Sequence, residues 1–341
     1  MKRFLLFALC VILLCSVPIG CVNSSSSLYS ATFYDVFDTV TILKGYALSQ
    51  SQFDQIADSV HKELKEYHTL YDIYHDANGI NNLKTVNDLA GSDPVTVDRK
   101  IIDLLLFCRD VDSFTDHKVN VMLGAVLSLW HEARNTALDD PSRAYLPSME
   151  DLTEAAKHVE FSLLEIDEAA STVCILDSKA RLDVGAVAKG FTAQRVVEQL
   201  PEGYMLSLGG NIAVKGKKPD GSIWNVGVQN PEDSASLLHV VSVTDVSVVT
   251  SGDYQRSFTY EGKQYHHIID PDTLYPSLYW KSVTVISKSS AIGDALSTAL
   301  FLTDRETGMQ LLKKFGSEAM WVGLDGSMYY TDGFTSQIKK Q

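Results

Sequence analysis

The sequence predicts an α+β fold, in which a helix-rich N-terminal half packs with a mostly antiparallel, hairpin-linked sheet. In the first half, apolar residues recur at spacings of three and four, the period of an amphipathic helix. After Ser171, short β-branched runs bounded by Gly, Asp and Pro take over, the pattern of strands joined by tight turns. Blocks of helix followed by blocks of strand argue against a doubly wound parallel sheet, which needs regular alternation.

The elements follow in order. Lys2 and Arg3, an apolar run from Phe4 to Val17 and small residues before Cys21 lay out a secretory signal over residues 1–20. The run is too short and wrongly flanked for a stable membrane span. Gly20 before Cys21 suggests cleavage there and lipidation of Cys21, although Pro18 stands where an aliphatic residue is usual. Ordinary secretion, with Cys21 a bystander, is the alternative. Residues 21–30, Ser-rich from Asn23 to Ser27, read as a flexible tether, and residues 31–341 as one large domain or two intertwined lobes.

Thr39–Leu43 is β-branched and predicts a strand. From Ser49 onward Phe53, Ile56, Val60, Leu64 and Tyr67 share one face of a helix, as do Ile101, Leu105 and Cys108 between Asp98 and Val111. Asn135–Pro147 reads as a polar loop. Ser148 with Asp151 then makes a capping box for a helix through Leu152, Ala155 and Val159. Thr172–Leu176 predicts a strand, Val187–Leu200 a helix and Tyr204–Leu208 a strand. Beyond the turn at Pro219-Asp220-Gly221 come strands at Trp224–Val228 and, as one long segment, Leu238–Val249. Glu261-Gly262-Lys263 closes a hairpin, Val283–Ile286 is a strand, and helices follow at Ala291–Leu302 and Arg305–Phe315. Asp325-Gly326 reads as a two-residue turn between Ala319–Leu324 and Met328–Tyr330.

The net charge of −14 becomes −16 once Lys2 and Arg3 leave with the signal. Such a surface repels nucleic acid and anionic headgroups, so membrane attachment falls to the lipid. An anionic nucleotide would need a cation at its site. Of five cysteines, Cys10 and Cys15 depart with the signal and Cys21 would carry lipid. Cys108 and Cys174 have apolar neighbours and read as small buried hydrophobes, without disulfide or zinc spacing.

Five local motifs carry chemistry. Leu182-Asp183-Val184-Gly185-Ala186-Val187-Ala188-Lys189-Gly190 feeds a strand through small residues into a helix, whose N-terminus favours an anion close to the backbone. A tight connection packed for its own sake explains it equally well. Leu208-Gly209-Gly210-Asn211 would open the backbone through positive φ, or be a simple turn. Thr250-Ser251-Gly252 offers hydroxyls for ribityl or phosphate oxygens, or a polar turn. In Tyr265-His266-His267-Ile268-Ile269-Asp270-Pro271, strand alternation puts the two histidines on opposite faces. One histidine could then be a general base poised by Asp270, although a lone strand histidine is more often structural. Asp294 and Thr298 share a helical face as oxygen donors suited to magnesium, or as an N-cap and a bystander.

In order and spacing these segments, with Phe37-Asp38-Thr39 and Leu70-Tyr71-Asp72-Ile73-Tyr74, resemble the FAD:protein FMN transferase family, the ApbE-type flavin transferase lipoproteins. The resemblance spans nearly all of the mature chain. It implies magnesium held by Asp294, Thr298 and the Ala186 carbonyl, with Ser297 close by. It implies FAD contacts at Tyr74, Asn120, Val121, Met122, Asp183 and Lys189, with Thr250, Ser251 and Gly252 lining the same pocket. His267, with His266 as fallback, would take the proton from a Thr or Ser hydroxyl of the acceptor, which attacks the FMN phosphorus and releases AMP. The implied partner is an exported flavoprotein subunit of a membrane redox complex, and the implied location is the outer face of the cell membrane. The chain departs from the family with Leu274 where many members have Gly, and with Asn120 and Met122 in place of Asp and Thr. An FAD pyrophosphatase giving free FMN and AMP, and a non-catalytic FAD-binding lipoprotein, are the alternatives.

Overall fold

The computed structural model describes residues 26–254 and 256–340. The signal expected over 1–20 and the lipidation expected at Cys21 lie outside these residues. Within them, no helix is long and apolar enough to cross a membrane.

The N-terminal half runs β1 (Ser27–Val36), β2 (Thr39–Ala47), α1 (Gln50–Tyr71), α2 (Leu83–Asp88), β3 (Val95–Thr96), α3 (Arg99–Phe114), α4 (Gly124–Asp139) and α5 (Met149–Ala155). Next come β4 (Leu164–Asp167), β5 (Thr172–Ile175), α6 (Ala188–Gln199), β6 (Tyr204–Leu208), β7 (Asn211–Lys215), β8 (Trp224–Gln229), β9 (Leu237–Val243) and β10 (Ser247–Gly252). The chain closes with β11 (Phe258–Tyr260), β12 (Lys263–Tyr265), β13 (Trp280–Ser287), α7 (Ser290–Phe301), α8 (Arg305–Phe315), β14 (Glu318–Gly323), β15 (Met328–Tyr330) and α9 (Asp332–Gln337).

The predicted α+β class holds. Eight strands form one sheet in the order β1-β2-β6-β7-β10-β13-β14-β15, with every neighbouring pair antiparallel. Helices cover one face: Phe53, Val60 and Leu64 of α1, Phe191 and Val196 of α6 and Ala295 of α7 pack with Leu43, Leu206 and Ala213 of the sheet. Val214, Val248, Ile286 and Met320 turn to the other face, beneath the β8–β9 ribbon and Phe334 of α9. Leu and Val side chains thus fill both faces of the central strands, as period-two alternation requires.

Local chemistry sets the ends of the elements. Ser49, Asp98, Ser148 and Asp304 each cap a helix by accepting a backbone N–H. At Gly209-Gly210 both residues have positive φ, 58° and 92°, so β6 and β7 join through a two-residue turn that suits glycine.

Several expectations change. Of the tether expected over 21–30, Ser27–Ser30 instead pair with Lys44–Ala47 as the sheet's edge strand. Asn135–Asp139 continue α4 rather than form loop, because Val126, Trp130, Ala133 and Ala137 bury one helical face. The helix opened by Ser148 is α-helical to Ala155 and continues as a 3-10 turn over Ala156–His158, one residue short of Val159. The segment Leu238–Val249 is two strands broken at Asp245, whose φ is 52°. The last hairpin has a three-residue turn, Leu324-Asp325-Gly326, closed by the Gly323 N–H donating to the Ser327 carbonyl at 2.7 Å. Residues 266–270 form no strand beyond a single bridge from Ile269 to Pro276. Cys108 and Cys174 are buried and unbridged, as expected.

Candidate active site

A cavity of about 290 Å³ opens where the N-terminal helices meet the sheet and α7. Its walls come from segments far apart in sequence: the β1–β2 turn, the end of α1, Lys118–Leu127, Asp183–Lys189, the β6–β7 turn, the end of β10, His267–Ile269, and Asp294 with Thr298 on α7. The motifs that carry chemistry, each open to a structural reading alone, thus meet around one cavity.

The α6–α7 contact builds one wall. Gly190 lies so close to α7 that a Cβ there would stand 2.2 Å from Asp294 Cβ and 2.6 Å from the Ser290 carbonyl oxygen. In a continued helix, the Gly190 N–H would bond to the Ala186 carbonyl. It donates instead to Asp294 Oδ2 at 2.7 Å, and the Ala186 carbonyl accepts no hydrogen bond among the described residues. Asp294 is 5% exposed and makes no ion pair with any described residue. Burial pushes its carboxyl up, against Lys189, the Gly190 N–H and Asn211 beside it. A buried carboxylate without an ion-pair contact favours a cation beside it. The Asp294 carboxylate, the open Ala186 carbonyl and the Thr298 hydroxyl one turn along α7 are hard oxygen donors in one cavity, and they fit magnesium.

At the start of α6 no side chain caps the helix. Asp183 Oδ1 accepts the Gly185 N–H at 2.9 Å and shapes the turn, while Lys189 Nζ rests 3.4 Å from the Gly185 carbonyl. An uncapped helix N-terminus beside a lysine suits a phosphate.

The two histidines separate cleanly. His266 is 9% exposed; its Nε2–H donates to the Ser277 carbonyl at 2.8 Å and its Nδ1 accepts the Ile268 N–H at 3.2 Å. Burial pulls its pKa down, against the Ser277 contact, so it is a neutral structural residue. His267 lines the cavity. The loop that carries it is tied down by Lys118, whose ammonium pairs with Asp270 at 2.9 Å and Asp272 at 2.6 Å. Asp270 thus holds the loop through Lys118.

A sequence profile of the ApbE family matches residues 29–321. The chain belongs to the ApbE family. It is 34% identical over 308 residues to the FAD:protein FMN transferase of Treponema pallidum, covering 83% of each chain. To that of Klebsiella pneumoniae it is 30% identical over 270 residues, covering 77% of this chain and 80% of the relative. Among solved structures, the ApbE protein of Thermotoga maritima superposes with a TM-score of 0.81 at 24% identity, covering 92% of this chain and 100% of that one. The apo flavinyl transferase ApbE of Pseudomonas stutzeri gives 0.76 at 22% identity, covering 93% and 98%.

Within this ApbE-family cavity stand Tyr74, Asn120, Val121, Asp183, Ala186, Lys189, Thr250, Ser251, Gly252, His267, Asp294 and Thr298. Met122 does not join them: its side chain is fully buried in the core and its N–H is taken by Asn120 Oδ1 at 2.8 Å. The Asn120 amide also donates to the Val159 carbonyl at 2.8 Å, so it shapes its own loop. Thr250, Ser251 and Gly252 end β10 rather than form a turn, and their hydroxyls bond to Thr284 (2.9 Å) and Ser297 (2.8 Å). Ser297 itself is fully buried. Leu274 takes a left-handed φ of 62°, a conformation that favours glycine, with its side chain buried and its carbonyl accepting the Trp130 indole N–H at 2.9 Å.

Sequence reading missed His131 and Arg256, which also line the cavity. His131 has its pKa lowered by burial, with Arg134 and Arg256 adding to this and Asp183 opposing. The apolar spacing 126, 130, 133, 137 was the signal that would have placed His131 on a helix beside the site.

Proposed function

We propose that the chain is an FAD:protein FMN transferase that, with magnesium, moves the FMN half of FAD onto a Thr or Ser hydroxyl of an exported flavoprotein and releases AMP. One observation carries the reading. A single cavity holds an oxygen-donor set on α6 and α7, an uncapped helix N-terminus with Lys189, and the His267 side chain in its lining. The names of the relatives, FAD:protein FMN transferases, support the same reaction.

In this reading His267 accepts the proton of the acceptor hydroxyl. The hydroxyl oxygen forms a bond to the FMN-side phosphorus, the bridging P–O bond breaks, and AMP leaves with the electron pair and a proton. Asp294, Thr298 and the Ala186 carbonyl would hold the magnesium, which when bound offsets charge on the pyrophosphate and on the leaving oxygen. The backbone at Gly185–Lys189 positions the phosphates, and Asp183 keeps that turn in shape. The signal read over 1–20 and Cys21 support export and lipid anchoring at the outer face of the cell membrane, where a redox-complex subunit would meet the enzyme.

The test compares wild type, Asp294→Ala and His267→Gln on FAD with magnesium, with and without a candidate acceptor. Covalent flavin on the acceptor from wild type alone supports transfer. Free FMN and AMP with no labelled acceptor would instead support a pyrophosphatase, and FAD binding without turnover a carrier.

A further inference from the structure

Three side chains from three separate elements meet along one side of the cavity. The Tyr74 hydroxyl, in the loop after α1, lies 3.2 Å from His131 Nδ1 on α4, and the two ring centroids are 6.2 Å apart. Across the imidazole, His131 Nε2 is 3.9 Å from Asp183 Oδ2 in the turn before α6. The His131 side chain is 22% exposed and that of Asp183 10%, whereas Tyr74 is 56% exposed. All three line the cavity.

We propose that His131 is a positioning residue: with its proton on Nε2, toward Asp183, its Nδ1 accepts the Tyr74 hydroxyl and fixes the phenol ring as a wall of the nucleotide cavity. The inference rests on the reading that this cavity takes FAD. Without His131, the exposed Tyr74 ring has rotamer freedom that a ligand must remove on binding. Tyr74's backbone is already pinned, because Asp72 Oδ1 accepts its N–H at 2.7 Å, so His131 fixes the remaining side-chain torsions. Asp183 acts twice: Oδ1 shapes the Gly185 turn and Oδ2 faces the imidazole, which couples the ring wall to the phosphate turn. A neutral imidazole is what the contact needs, and burial beside Arg134 and Arg256 maintains it against the pull of Asp183.

The test is a flavin-fluorescence titration of FAD with magnesium and no acceptor, followed by steady-state transfer. His131→Leu and Tyr74→Phe are each expected to raise the Kd for FAD about three- to tenfold, the value of one hydrogen bond. The double variant should lose no more than either single one, because both remove the same contact. His131→Asn, whose Oδ1 can replace Nδ1 as acceptor, should recover most of the affinity, whereas in His131→Leu and Tyr74→Phe the KM for FAD should rise with kcat held. Unchanged affinity in Tyr74→Phe, or fully additive losses in the double variant, would overturn the inference. Should His131→Leu fail to fold, Tyr74→Phe and His131→Asn still decide it. Wild type that binds no FAD would sink the proposed function instead, a distinguishable failure.

Discussion

Gly190→Ala probes the contact on which the metal-site geometry depends. The added methyl would stand 2.2 Å from Asp294 Cβ and 2.6 Å from the Ser290 carbonyl oxygen. Comfortable carbon contacts need about 3.5–4 Å, so α6 and α7 must separate by about 1 Å or more. Neither obstacle is the end of a flexible side chain, so rotation cannot relieve the clash. Overpacking of this kind costs about 1–3 kcal/mol. Losing the Gly190 N–H to the buried Asp294 carboxylate adds about 1.5–3 kcal/mol. The expected loss is therefore roughly 2.5–6 kcal/mol, read from urea unfolding followed by circular dichroism. The same displacement should weaken magnesium-dependent FAD binding, because it moves Asp294 of α7 away from Ala186 before α6 in the cavity that both line. A variant within about 0.5 kcal/mol of wild type that keeps magnesium-dependent binding would refute the reasoning.

Three further outcomes follow from the same geometry. His267→Ala should reduce transfer about a hundred- to ten-thousandfold, whereas His266→Leu should chiefly lower Tm, because it strands the Ser277 carbonyl and the Ile268 N–H. Lys118→Met leaves the buried Asp270 without its cation; a loss of about 3–5 kcal/mol in unfolding experiments and a lower kcat are expected as the His267 loop loosens. Burial pushes the Asp253 carboxyl from 3.8 up to about 6, so between those values the folded state holds a proton that the unfolded state has released. Its contribution to stability therefore falls as pH rises through that window, and Asp253→Asn should raise Tm at neutral pH and flatten the dependence on pH.

Much of this was legible in the sequence, for identifiable reasons. Helix α1 announces itself through Phe53, Val60 and Leu64 because a helix on a sheet must bury a stripe. The motifs around Asp183, Gly209, Thr250 and Asp294 were visible as backbone chemistry, since turns and helix starts constrain residue type locally. What stayed hidden was carried by tertiary contact. No spacing rule reveals that the Gly190 N–H leaves its helix for Asp294, 104 residues away. Edge strand β1 was obscured because its inward residues Tyr29, Ala31 and Phe33 are only half-buried, while Ser30 and Thr32 between them are polar and exposed. His131 stands in no motif, and only its place on α4 brings it to Tyr74 and Asp183. Met122 was misassigned because a neighbouring motif position says nothing about which way a side chain turns into the core.

The central claim is transfer to a protein hydroxyl, and the ratio of released AMP to acceptor-bound flavin tests it most directly. With FAD, magnesium, wild-type protein and an exported flavoprotein acceptor, AMP by chromatography and adduct by intact-mass spectrometry should rise together, one for one. AMP that accumulates with free FMN while the acceptor keeps its unmodified mass would contradict the account.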